Sequence, residues 1–163
     1  MQSAIQIGII ADTHGLLRPE AIAALTGSDL ILHAGDIGKP EVLGGLKAIQ
    51  AQAASETPVI TVRGNNDREG WAEAIPERQS ITIEAVSIYM LHILQELDFD
   101  PKTAGFQVVI SGHSHKPLVE EREGVLYINP GSAGPRRFKL PVSVARLHIE
   151  GATAQAEIVE LAV

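Results

Sequence analysis

Ile5-Gln6-Ile7-Gly8-Ile9-Ile10-Ala11-Asp12-Thr13-His14 decides the fold. Its first seven residues are mostly apolar and β-branched, and polarity arrives abruptly at Asp12. So short an isoleucine-rich run reads as a buried strand. It is far too short to span a bilayer. In open α/β sheets, ligands gather just past the carboxyl ends of strands. Asp12 and His14 stand at such a place.

The same arrangement repeats outward from this segment. Pro19 opens a helical stretch through Leu25, with Gly27 as its stop. Residues 29–33 form a second strand that runs into Gly35-Asp36. Pro40 begins another helix, with Val42, Leu43, Leu46 and Ile49 at helical spacing. Residues 59–62 form a third strand, followed by Gly64-Asn65. Strand, helix, strand in alternation argues for parallel pairing. Asp36 and Asn65 thus share the strand-end position of Asp12.

The second half changes character. Residues 81–83, 86–91 and 108–110 are strand-like, and 101–106 read as a short helix or loop. Segments 118–121 and 125–128 flank Glu123-Gly124, a hairpin turn. Segments 142–149 and 154–161 close the chain around Glu150-Gly151. Late hairpins after early β-α units predict two packed sheets with helices outside. The longest irregular stretch, residues 65–80 with Trp71, is a candidate flap. Trp71 either covers a substrate or closes the flap onto the core, and the second reading is preferred.

Composition narrows the function. At 163 residues the chain reads as one domain, 1–163, with enough length for a sizeable core. An apolar content of 45% argues against disorder. A formal charge of −7 disfavours extended nucleic-acid binding, which rests on lysine and arginine. With no cysteine, neither a disulfide nor a thiolate metal site can form. The N-terminus shows no basic leader, and no run is long enough to span a membrane, so a cytoplasmic protein is expected.

Five segments carry chemistry: Asp12-Thr13-His14, Gly35-Asp36, Gly64-Asn65-Asn66-Asp67, His92 and Gly112-His113-Ser114-His115. Aspartate and histidine suit divalent ions such as Mn, Fe, Ni and Zn. Asp12 and His14 are two apart, so both reach one site only if the chain turns, which Gly15 assists. His113 and His115 are also two apart, with Gly112 freeing the backbone. Asp36 has two oxygens and can bridge two cations. Two divalent ions with Asp12 and Asp36 leave a centre of about +2, which attracts a phosphate ester and acidifies water.

In this order the segments resemble the calcineurin-like metallophosphoesterases, and more narrowly the small phosphodiesterases of the YfcE type. Asn129-Pro130-Gly131-Ser132 followed by Pro135-Arg136 resembles that subfamily's late signature. The resemblance runs from Ile7 to Arg136. It implies a four-layer α/β/β/α sandwich of two mixed sheets with a dimetal centre, manganese first, with nickel, iron or zinc as alternatives. Asp12, His14, Asp36 and His115 would bind one ion. Asp36, Asn65, His92 and His113 would bind the other. The resemblance implies attack on a small-molecule phosphodiester by a metal-bridging hydroxide, and a homodimer. Asn66, and Arg136 in the basic run with Arg137 and Lys139, are the expected substrate contacts. The run reads equally well as a solvated loop or as a phosphate-contacting edge or subunit contact.

Two departures from the pattern stand out. Asn66 replaces a histidine that many members use to protonate the leaving group, and asparagine cannot shuttle a proton near neutral pH. His92 is followed by Ile93 rather than glycine, which loosens the expected turn at that ligand. His33 and His148 read as structural. Asp67 reads as orienting Arg63 or a ligand, or as a turn cap. The rival functions are a protein-binding scaffold of the same fold, as in the retromer subunit, and a phosphomonoesterase or nucleotidase.

Overall fold

The computed structural model describes residues 4–49 and 57–163. Among them ten strands form two five-stranded mixed sheets. In the first, β1 (Ile5–Ile10) pairs in parallel with β2 (Leu30–His33), and β2 in parallel with β3 (Val59–Thr61). The chain's end completes this sheet. β9 (Ser143–Glu150) runs antiparallel to β1, and β10 (Thr153–Glu160) antiparallel to β9. The second sheet orders β4 (Arg78–Ile83), β5 (Val86–Leu91), β6 (Val108–Ile110), β8 (Val125–Asn129) and β7 (Leu118–Arg122).

Strand alternation sorts the core into layers. Ile7 and Ile9 of β1 face the second sheet, where they cluster with Ile88, Met90, Val108 and Ile110. Ile10 and Ile31 face the opposite way, onto helices α1 (Pro19–Leu25) and α2 (Pro40–Lys47) through Leu25, Val42 and Leu46. Gly8 sets the spacing there. A β-carbon on it would lie 2.6 Å from Leu25 Cδ2. The helix rests almost on the strand backbone.

The outer face of the second sheet carries no α-helix among the described residues. A 3-10 turn, Leu94–Glu96, and the turns after it supply Leu94, Leu97, Phe99 and Phe106 against Tyr89, Leu91 and Val109. Phe99 and Phe106 meet the Tyr89 ring edge-on, with centroids 4.9 and 5.2 Å away. Edge-to-face aromatic packing thus takes the place of a fourth helical layer. No described helix is long and apolar enough to cross a membrane.

The stretch expected as a flap is held down. Asp67 and Ala72 are buried, and Trp71 packs on the helix side of the first sheet. β4 already begins at Arg78. β1, β2 and β3 end side by side, and β5 and β6 end in parallel register in the facing sheet. All five candidate segments follow these ends.

Candidate metal centre

Two adjoining groupings form at the strand ends. Asp12, His14 and His115 make one, and Asp36, His92 and His113 the other, with the donor atoms of each within 4.8 Å of one another. Asp12 Oδ1 lies 3.9 Å from His14 Nε2, 3.5 Å from His115 Nε2 and 3.7 Å from His92 Nε2. Asp36 Oδ2 lies 3.3 Å from His92 Nε2 and 3.8 Å from His14 Nε2. Asp36 therefore faces an imidazole from each grouping. Asn65 adjoins the second grouping, with its Oδ1 3.2 Å from His113 Nδ1.

The backbone is bent to make this possible. Asp12, His14, Asp36, His113 and His115 all have left-handed φ, between 47° and 71°. Residues with a β-carbon enter that region at a cost of about 1–2 kcal/mol each, and such strain gathers at functional sites. The turn after each strand lets residues two apart in sequence converge on one point.

Neighbouring glycines make the room. A β-carbon on Gly64 would collide with the Asp36 amide and carboxylate, and one on Gly35 would lie 2.7 Å from His92 Nδ1. The ring of His92 is fixed by that packing. Its Nδ1 donates to the Ala34 carbonyl at 2.7 Å, which leaves the Nε2 lone pair facing both carboxylates. The turn geometry at His92 that a following glycine would have provided comes instead from Gly35 and Ala34.

The carboxylates are aimed as well. Asp12 Oδ2 accepts the backbone N–H of His113 at 3.0 Å, and so Oδ1 turns to the imidazoles. Asp36 accepts the backbone N–H of Asn66 at 2.9 Å and its side-chain amide at 3.0 Å. Asn66, expected as a phosphate contact, here orients the central carboxylate. Four buried atoms of this cluster have no hydrogen-bond partner: Asp12 Oδ1, His14 Nε2, His92 Nε2 and His115 Nδ1. Buried polar atoms are rarely left unpaired, and an unpaired set calls for an ion or water. Oxygen and imidazole donors in this mixture fit a divalent transition metal.

Charge tells the same story. Burial pushes Asp12 up to about 7, with the Asp36 charge adding and His92 opposing. Burial also pushes Asp36 up, but the hydrogen bond and charge of His92 and the Asn66 N–H outweigh it, and the net shift is downward. Burial lowers His92, yet Asp36 and Asp12 more than reverse this. Burial lowers His115 to about 4, aided by the charge of Arg137, and lowers His14. Asp12 and His92 are thus both drawn toward holding a proton. A cation at that point would satisfy the same pull.

Asp67 does more than cap a turn. Its buried carboxylate accepts N–H bonds from Ile37 at 3.0 Å, Gly38 at 3.1 Å and Gly64 at 2.9 Å. It ties the Asp36 loop to the Asn65 loop. Arg63, the partner considered from sequence, pairs with Glu77 instead. Fully buried His33 holds the floor. Its Nδ1 accepts from the Gly35 N–H at 3.1 Å, so Nε2–H donates to Thr13 Oγ1, whose hydroxyl donates to the Ile37 carbonyl at 2.8 Å. His148 lies on β9, away from the cluster, 4.0 Å from Glu157.

The basic run divides. Arg136 is exposed and reaches the Val163 carbonyl at 3.4 Å. The charge of its neighbour Arg137 acts on Asp12, His14 and His115.

The two-sheet α/β sandwich carries paired aspartate–histidine groupings at its strand ends. The model of the calcineurin-like phosphoesterase superfamily domain matches residues 5–152, and the chain belongs to that superfamily. A probable metallophosphoesterase of Methanothermobacter thermautotrophicus is 36% identical over 165 residues, spanning 94% of this chain and 91% of the relative. A solved archaeal phosphodiesterase superposes with a TM-score of 0.75 at 25% identity, covering 95% of this chain and all (100%) of that one. Vacuolar protein sorting 29 from Cryptosporidium parvum shares the fold, with a TM-score of 0.76 at 19% identity, covering 98% of this chain and 99% of that one.

Proposed function

We propose that this protein is a dimetal-dependent phosphodiesterase. The observation that carries the proposal is the convergence of seven donor residues, with four orphaned buried atoms among them. Asp12, His14, Asp36 and His115 would hold one divalent ion, and Asp36, Asn65, His92 and His113 the other. Manganese is the first choice. Ions held there supply Lewis acidity, lowering the pKa of water and neutralising phosphate charge. The chain does the rest. His92 is locked in one tautomer by Ala34, and Asp36 is steadied by Asn66. The Asn66 side-chain amide donates to Asp36 and has a second N–H that could donate to a phosphate oxygen. The likeness to a solved archaeal phosphodiesterase, together with the full donor set, supports this reading.

Metal analysis together with turnover of bis(p-nitrophenyl) phosphate tests it. Bound metal with metal-dependent turnover supports the proposal. Protein with neither favours the scaffold reading that the vacuolar sorting fold suggests. A p-nitrophenyl phosphate assay run alongside separates diesterase from monoesterase.

Metal loading will depend on pH. In metal-free protein Asp12 keeps its proton up to about pH 7, and the pKa of His92 is raised. Both must be unprotonated to bind a cation. Affinity for Mn will therefore fall as pH drops below 7, with about one proton or more released per binding event at pH 6. His115, lowered to about 4, stays neutral there and adds little, and His14 is shifted in the same direction. Titration calorimetry in two buffers of different ionisation heat counts the protons. Equal heats in both buffers at pH 6 would refute the expectation.

Asn66→His restores a group that can donate a proton to the leaving alcohol. On diesters with poor leaving groups the gain should be roughly tenfold or more. An unchanged ratio of rates on nitrophenyl and alkyl esters would count against a missing proton donor.

A further inference from the structure

Among the described residues, Arg137 is the one arginine without a hydrogen-bond or ion-pair partner. The other seven all have one. Arg18 donates to the Gly134 carbonyl, Arg68 to that of Asn65 and Arg136 to that of Val163. Arg63, Arg78, Arg122 and Arg146 pair with Glu77, Asp98, Glu120 and Glu157. Arg137 is exposed, yet its charge is felt by Asp12, His14 and His115, all of one grouping.

Its position is fixed by the segment before it. Asn129 Nδ2 donates to the Gly112 carbonyl and to Ser114 Oγ, both at 3.0 Å. Ser132 Oγ donates to the Asp12 carbonyl at 3.1 Å, and the Ala133 N–H to that of Ala11 at 3.1 Å. Gly134 lies so close to the Asp12 and Thr13 backbone that a β-carbon there would collide. The Leu140 N–H then bonds the Arg137 carbonyl at 3.1 Å, closing a sharp turn with Phe138 at φ 53°. The segment is fastened to two of the ligand-bearing loops, and the turn that follows it begins at Arg137.

Two divalent cations held in the site would be repelled by a guanidinium that no ion pair neutralises. An oxyanion placed between removes that repulsion and gains charge-assisted hydrogen bonds. We infer that Arg137 binds a non-bridging oxygen of the substrate phosphate from the Asp12–His14–His115 side of the centre. Arginine's fork suits a tetrahedral oxyanion better than lysine's single point of charge. This inference rests on the dimetal reading above.

The test compares Mn-loaded wild type, Arg137→Gln and Arg137→Lys, with Lys102→Gln as a remote control of equal charge loss. Three quantities are read: bound Mn, the inhibition constant for inorganic phosphate, and KM separately from kcat. Arg137→Gln should hold Mn at least as tightly as wild type, because a neighbouring positive charge is gone. Its phosphate inhibition constant and KM should rise roughly 10- to 100-fold. Arg137→Lys should recover part of this, and Lys102→Gln should match wild type. A merely structural role would not loosen phosphate while sparing metal. Full Mn occupancy with unchanged phosphate inhibition in Arg137→Gln overturns this inference alone. A wild type that takes up no Mn overturns the dimetal reading and this inference with it.

Discussion

Asp36→Asn will reduce diester turnover by about a thousandfold, and added manganese will not restore it. Asp36 Oδ2 lies within 3.3 Å of His92 and 3.8 Å of His14, one imidazole from each grouping. A bridging position needs an anionic group with lone pairs for two cations, and an amide offers one neutral oxygen. The Lewis-acid contribution at stake is several kcal/mol. A loss of roughly 4 kcal/mol corresponds to about 10³ in rate, at tenfold per 1.36 kcal/mol. Bound metal should fall below that of wild type. The metal-free variant should melt below metal-free wild type, because His92 and the Asn66 N–H favour the charged form of Asp36 in the fold. Near-normal turnover in Asp36→Asn would show that the carboxylate is not shared.

Asp67→Ala will be the most damaging substitution for the fold outside the metal ligands. The carboxylate is buried and takes three backbone N–H bonds from two loops. Hydrogen bonds to a charged acceptor contribute about 1.5–3 kcal/mol each, not additively, and three backbone donors, two of them in buried bonds, are left unpaired. A loss of about 3–5 kcal/mol is expected. For a chain of this size that lowers Tm by roughly 10 °C. Mn affinity should fall about 10- to 100-fold as well, because the Asp36 and Asn65 loops lose their common tie. Thermal denaturation with and without Mn separates the two effects. A Tm within about 2 °C of wild type would mean that water replaces the carboxylate.

Much of the fold was written in local signals. Pro19 and Pro40 start their helices where the fixed φ of proline predicts, and α1 ends at Leu25 as Gly27 signals. β1 stops at Ile10, just ahead of the polar residues. The outer layer of the second sheet was less legible. Residues 94–107 have no helical period, and their contribution comes from two phenylalanines folding onto Tyr89. Long-range packing of that kind leaves no mark on spacing.

The candidate site divides in the same way. Donor types and their place after strands were readable, since both follow from local chemistry. The left-handed backbone at Asp12, His14, Asp36, His113 and His115 was not, because glycine is the residue that advertises positive φ. Nor was the role of Asp67, whose three donors come from residues 3 to 30 positions away. Gly35 was a signal that could have been read. A glycine beside Asp36 leaves space for a second side chain, and the ring of His92 fills it. The facing of Arg136 and Arg137 depends on a turn that no motif specifies.

Anomalous diffraction from crystals soaked in manganese tests the central claim most directly. The account predicts two peaks per chain at the strand ends, one among Asp12, His14 and His115 and one among Asp36, His92 and His113, with Asp36 between them. Fully formed crystals with no peak there, or with a single peak that leaves either grouping unbound, would contradict it.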